Sequence, residues 1–140
     1  MRKFENTYSD LWNNKIELTA EELAYFHGVV ATFEKYMHSM NYHIEITNRD
    51  HENMKGKSKE ALGIFYTNNK ETPYLDDDCF ITIDNYFIHE KYKEEIKGEW
   101  TLEPQSLAEV IAHEIAHRFI FRHGRKHRET TSAILAAVAC

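Results

Sequence analysis

The run Ser106-Leu107-Ala108-Glu109-Val110-Ile111-Ala112-His113-Glu114-Ile115-Ala116-His117-Arg118-Phe119, inside the segment from Pro104 to Gly124, decides how the rest of the chain is read. Leu107, Val110, Ile111, Ile115 and Phe119 recur at the three-and-four spacing of a half-buried face, which predicts one helix across the whole segment. Pro104 suits its first turn and Gly124 its end. Residues four apart on a helix share a face, with Cβ atoms about 5 to 6 Å apart. His113 and His117 can therefore turn their imidazoles toward one ion.

Zinc suits such a pair. Neutral imidazole binds it at about 2.0 to 2.1 Å, and a catalytic site needs three protein ligands, with water in the fourth position. Glu114, next to the first histidine, is placed to take a proton from that water and return it to a leaving amine. His113-Glu114-Ile115-Ala116-His117 thus matches the H-E-x-x-H pattern of metal-dependent peptidases. A chain with 9 histidines can produce the pattern by chance, so a third ligand is needed to support it.

Composition sets the frame. With 140 residues, 42% of them hydrophobic, the chain can bury one core, and a single domain over residues 1–140 is expected. A net charge of −6 and a pI near 5.8 argue against a surface built wholly for nucleic acid. No apolar run is long enough to span a membrane, and Met1 to Asp10 lacks the apolar centre of a signal peptide, so a cytoplasmic location and no membrane partner are expected. Cys79 and Cys140 are too few for a disulfide framework and read as two reduced thiols without an assigned role.

Met1 to Leu18 is polar, with Phe4, Tyr8, Leu11 and Trp12 as anchors onto the body. Thr19 and Glu22 form a capping-box signature, and Leu23, Phe26, Val30, Phe33, Tyr36, Met37 and Met40 mark an amphipathic helix to about Met40. His27 and His38 on it have no partner four residues away and read as ordinary histidines. Asn41 to Asn48 alternates as a strand, Arg49 to Glu60 reads as a charged loop, and Ala61 to Thr67 and Cys79 to Asp84 as two further strands. The acidic run Asp76 to Asp78 lacks the glycine and distal glutamate of a calcium loop and reads as a solvated turn. Asn85 to Ile96 is expected to be helical with Phe87, Tyr92 and Ile96 inward, ended by Gly98, and Thr130 to Cys140 forms a last helix. This order describes an α+β layer in which a small twisted sheet packs on the metal-bearing helix. A substrate could add to the sheet edge as an extended strand, pairing with Phe80 to Ile83 if Cys79 to Asp84 is that edge.

Three residues compete to be the third ligand. His127 follows the Gly124 turn, which could fold the chain back over the ion. His123 lies six beyond His117 and would need the helix to break early. Glu129 could reach in from the last helix, as carboxylates do in two-histidine, one-glutamate sites. The glycine turn favours His127. Nearby, Arg118, Arg122, Arg125, Lys126 and Arg128 form a basic cluster that could meet phosphate, although cations at a helix end also complement its dipole, and the latter reading is preferred.

These residues resemble the SprT-like zinc metallopeptidases. The likeness runs from about Ala61 to Ala139 and comprises Ile81-Thr82-Ile83-Asp84 leading through Tyr86 into a charged helix, the H-E-I-A-H helix, and Gly124 followed by Lys126-His127-Arg128-Glu129. The resemblance implies a zincin-like fold, a bound Zn2+ held by His113, His117 and His127, Glu114 as the catalytic base, and a protein or peptide substrate. Thr131 stands where the family has an aromatic residue, and the loop before His127 is short. The sequence ends at Cys140 without the zinc ribbon or DNA-binding extension of some members, so repair of DNA-bound proteins is not expected. A second reading is a zincin-like regulatory or binding domain resembling the ImmA/IrrE-like regulators, with Glu129 as third ligand, little general proteolysis, and contact with nucleic acid through Arg118 to Arg128.

Overall fold

The computed structural model describes residues 6–7, 18–36, 43–47, 62–76, 79–100 and 105–139. Its elements are strand β1 (Asn6–Thr7), helix α1 (Ala20–Ala31), strands β2 (His43–Thr47) and β3 (Gly63–Tyr66), a 3-10 turn at Pro73–Leu75, strand β4 (Phe80–Asp84), and helices α2 (Asn85–Glu95), α3 (Leu107–Ala116) and α4 (Arg125–Ala139). The architecture is α+β. The mixed sheet has the order β1-β2-β4-β3, with β1 and β2 parallel, β2 and β4 parallel, and β3 antiparallel to β4. Parallel neighbours need a crossover, and α1 lies in the one joining β1 to β2. No helix among the described residues is long and apolar enough to cross a membrane.

Helix α1 begins where the sequence placed it. The Thr19 hydroxyl accepts from the Glu22 N–H, and the Glu22 carboxylate accepts from the Thr19 N–H. Phe26, Val30 and Phe33 face the core, while His27 is exposed. Met37 to Met40 and His38, the Arg49 to Glu60 loop, and Phe4, Tyr8, Leu11 and Trp12 lie outside the described residues.

The helix predicted across Pro104 to Gly124 is shorter at both ends. It starts at Leu107 because Ser106 caps it, accepting from the Glu109 N–H while the Glu109 carboxylate accepts from the Ser106 N–H; Pro104 lies outside the described residues. It ends at Ala116 because the backbone tightens: His117, Arg118 and Phe119 donate to carbonyls three residues back, at Glu114, Ile115 and Ala116. Phe119, expected inward, is consequently 40% exposed, and Phe121 packs against the core instead. Leu107, Ile111, Ala112, Ile115 and Ala116 are fully buried, and α3 meets β3, β4, α1, α2 and α4. Each large aliphatic side chain buried this way contributes about 1.5 to 3 kcal/mol.

Gly124 does not end α3. With φ at +150°, a value side-chain-bearing residues rarely adopt, it turns the chain into α4, and its carbonyl accepts from the Arg128 N–H at 3.0 Å. The last helix thus starts at Arg125, not Thr130. Its charged first turn carries an i, i+4 ion pair between Arg125 and Glu129, and the hydroxyls of Thr130 and Thr131 donate to the carbonyls of Lys126 and His127.

Helix α2 also departs from expectation. Asp84 caps it by accepting from the Phe87 N–H, and the buried stripe is Phe87, Ile88 and Lys91, whereas Ile96, beyond its last turn, is 59% exposed. Lys91 is fully buried, its ammonium donating to Glu94 at 2.8 Å and lying over the Phe87 ring. Gly98 does close the helix, at φ +74°, where Glu99 N–H reaches back to the Lys93 carbonyl.

Strand β4 is interior, between β2 and β3, so it cannot be the edge that receives an added strand. Asp76 braces the turn before it, its carboxylate accepting from the Thr67 hydroxyl and the Asn68 N–H; Asp77 and Asp78 lie outside the described residues. The edge facing α3 is β3. Its register with β4, together with the Asp84 N–H donated to the Leu62 carbonyl, makes Leu62, Ile64 and Tyr66 the hydrogen-bonded partners of β4. The backbone groups of Gly63 and Phe65 therefore point outward from the edge, and the Phe65 N–H meets the Glu114 carboxylate of α3.

Candidate metal centre

Four histidines converge beside that edge. His113 lies on the last turn of α3, His117 is its C-cap, His123 sits in the loop before Gly124, and His127 is in the first turn of α4. Ring centroids lie between 4.1 and 5.4 Å apart in all six pairs. His113, His117 and His127 each offer a ligand nitrogen within 4.8 Å of the other two, and could hold a metal ion. Nε2 of His113 is 3.3 Å from Nε2 of His117. Four nitrogens at zinc distance around a tetrahedron stand about 3.3 to 3.4 Å apart, so this pair needs little adjustment to share an ion.

The early end of α3 also sets His127. Because His117 N–H turns to the Glu114 carbonyl, the His113 carbonyl is left near the helix end as an acceptor, and Nε2 of His127 donates to it at 2.9 Å. That hydrogen bond leaves the lone pair on Nδ1 and fixes the ring, as outer partners of metal-binding histidines do. Buried Nδ1 of His117 has no hydrogen bond, although the Ile120 and Phe121 carbonyls lie close enough to favour its protonated form. Polar atoms in a finished core are seldom left so. Three imidazoles, one of them oriented from outside, could hold a metal ion, and an all-imidazole donor set is one that zinc accepts.

Electrostatics favour neutral rings. Burial and then the neighbouring imidazoles push His113 and His117 down to about 4, and burial lowers His127 as well. Metal binding requires that lone pair to be free of a proton. Glu114 moves the other way: burial raises it to about 8, opposed by the Phe65 N–H that points at its carboxylate. Its carboxylate lies 3.9 Å from Nε2 of His113 and is 8% exposed. The other expected ligand does not join the cluster, for Glu129 is exposed and paired with Arg125 at 3.0 Å. The basic cluster is likewise broken up. Arg118 is buried, donating to Sγ of Cys79 at 2.6 Å and to the Tyr74 carbonyl, and Arg125 is the partner of Glu129, leaving Arg122, Lys126 and Arg128 at the surface. Cys79 is a buried free thiol, raised by that burial.

A cavity of about 640 Å³ opens over the cluster, lined by Gly63, Phe65, Val110, Glu114, Phe121 and Arg122 among others. None of the β3 residues, nor Phe121, was singled out from the sequence. Gly63 carries the one signal present in the sequence, a glycine inside a strand, which often marks close backbone approach. Here a Cβ would meet Cγ of Glu114, Cδ1 of Ile83 and Cγ1 of Val110, each at 3.1 Å. Gly63→Ala should therefore overpack this junction and destabilise the chain by about 1 to 3 kcal/mol. Urea unfolding at neutral pH measures it; an unchanged midpoint would mean that the strand simply shifts away.

No family model matches the chain, and no curated protein or solved structure does either.

Proposed function

We propose that this chain is a zinc-dependent peptidase of the SprT-like, zincin-like kind, hydrolysing peptide bonds of protein substrates with Glu114 as the base. One observation carries the reading: His113, His117 and His127 bring ligand nitrogens within 4.8 Å of one another beside a cavity that the buried Glu114 carboxylate lines together with β3, an edge strand among the described residues. Bound there by the three imidazoles, zinc supplies Lewis acidity toward a carbonyl oxygen and toward water. The remaining work falls to the chain. An extended substrate segment pairs with the outward groups of Gly63 and with the Phe65 carbonyl, main chain to main chain. The edge strand at the site is β3, which runs beside Glu114.

Glu114 takes the proton from the attacking water and delivers it to the leaving nitrogen, while the Phe65 N–H holds the carboxylate in place. Phe65, Val110 and Phe121 keep the cavity wall apolar and limit water around the carboxylate. The regulator-like reading loses its intended ligand, since Glu129 is engaged with Arg125.

The purified protein should contain close to one zinc per chain and cleave an unfolded protein substrate. Dialysis against a chelator should stop cleavage, and zinc should restore it. A chain that takes up no zinc, or cuts equally well without it, would overturn the reading.

A further inference from the structure

We infer that His123 is a fourth imidazole ligand that closes the metal site at rest and must leave it before substrate can bind. The inference rests on the zinc-peptidase reading of the cluster and concerns its regulation. Nε2 of His123 lies 3.2 Å from Nε2 of His113, nearly the separation that His117 keeps from the same atom. Both distances are close to the edge of a tetrahedron of nitrogens around zinc, about 3.3 to 3.4 Å. The His123 ring centroid is 4.7 Å from that of His117 and 5.4 Å from that of His127, so its ring lies beside the three that could hold an ion, on the side of His113. A peptidase site built on three protein ligands has its fourth position open; here a side chain of the same chain stands beside it.

Burial separates this histidine from His117 and His127. His117 is 7% and His127 1% exposed, locked between α3 and α4, whereas His123 is exposed on the loop between them. The His127 ring is tied to the His113 carbonyl, while Nε2 of His123 meets only a neighbouring imidazole in the cluster. The next residue, Gly124, has the positive φ of a turn position that can rotate without a side chain to clash. His123 also lines the cavity with Gly63 and Glu114, so its ring stands where a substrate carbonyl would enter. A ligand that is exposed, loop-borne and next to a glycine is the one that can be displaced without unfolding either helix.

The test compares the full chain with His123→Ala, each loaded with cobalt(II), using acetohydroxamate as a small chelating probe of the open position. Because His123 is exposed, its removal should leave the metal-free fold intact, as circular dichroism can verify. Two opposite changes are expected. Cobalt affinity should fall by at least the roughly 10- to 100-fold that even an outer partner of a ligand contributes. Acetohydroxamate should bind about 10- to 100-fold tighter, because a site closed for 90 to 99% of the time weakens its apparent affinity by about that factor. The visible cobalt spectrum should shift in the same variant. Equal spectra and equal acetohydroxamate affinity would remove the gate while leaving the zinc reading standing. Loss of cobalt binding as complete as in His113→Ala would make His123 an indispensable ligand, and that also overturns the gate. Failure of the parent chain to bind cobalt or zinc at all would instead defeat the zinc-peptidase reading itself.

Discussion

Glu114→Gln is expected to lose peptidase activity by about 10²- to 10⁴-fold, the range for a positioned proton-transfer group, while keeping its zinc. The same substitution should stabilise the metal-free fold at neutral pH. Burial holds the Glu114 carboxyl up to about 8 from an ordinary value of 4.5. A group whose pKa is raised on folding contributes stability that is complete below its unfolded pKa and is lost as pH climbs through the folded one. The parent chain therefore weakens between about pH 4.5 and pH 8, and glutamine, with nothing to ionise, does not. At 1.36 kcal/mol per unit this amounts to roughly 3 kcal/mol at pH 7, less the cost of an amide N–H2 with no acceptor, about 1 to 3 kcal/mol.

The sign of the pH dependence is the more decisive quantity. The stability of Glu114→Gln relative to the parent should be lowest near pH 4.5 and rise until about pH 8. Denaturant unfolding of both metal-free proteins across that range measures it. A difference that stays flat would mean that Glu114 is not buried as an acid, and retained cleavage would remove it from the chemistry. The two readouts are independent, so a catalytic loss accompanied by a stability gain would mark a group held at a cost for its function.

The second large effect concerns the ligands. His117→Ala and His127→Ala should each leave the chain without stoichiometric zinc and without cleavage, whereas Glu129→Ala should change neither. His127 is 1% exposed and bonded to the His113 carbonyl, so its removal also unsettles the α3–α4 junction by about 1 to 3 kcal/mol. Thermal unfolding of the metal-free variants separates that loss from loss of the ion. Glu129 sits in an exposed i, i+4 pair with Arg125, worth about 0.3 to 0.5 kcal/mol. Should Glu129→Ala lose zinc while His127→Ala keeps it, the ligand set proposed here would be wrong, and the regulator-like alternative would regain its ligand.

Local chemistry was legible in the residues themselves. The four-residue spacing of His113 and His117 needs only one helical turn, and the Thr19 and Glu22 cap needs only three residues of chain. Ser106 and Glu109 form the same kind of cap and set the true start of the helix, whereas Pro104 and Gly124, which suit helix ends by residue type alone, mark out a longer one. Its early end mattered most for the site, since it frees the His113 carbonyl for His127 and lets His123 approach, which an unbroken helix would forbid.

What this sequence determined alone is therefore what depends on neighbours in the chain: the α+β element types, two of the caps, and the pair of imidazoles one turn apart. Tertiary structure decided what depends on residues far apart in sequence. Strand order made β3, not β4, the edge at the site, and brought Gly63 against Glu114, 51 positions later by number. It buried Lys91 where periodicity placed Tyr92 and Ile96, and drew Arg118 out of the basic cluster onto Cys79. The physical reason is that hydrophobic spacing and capping are fixed by bonds a turn long, whereas pairing register and burial of a charge are settled by the packed whole, where each such choice is paid for by contacts the sequence pattern does not display.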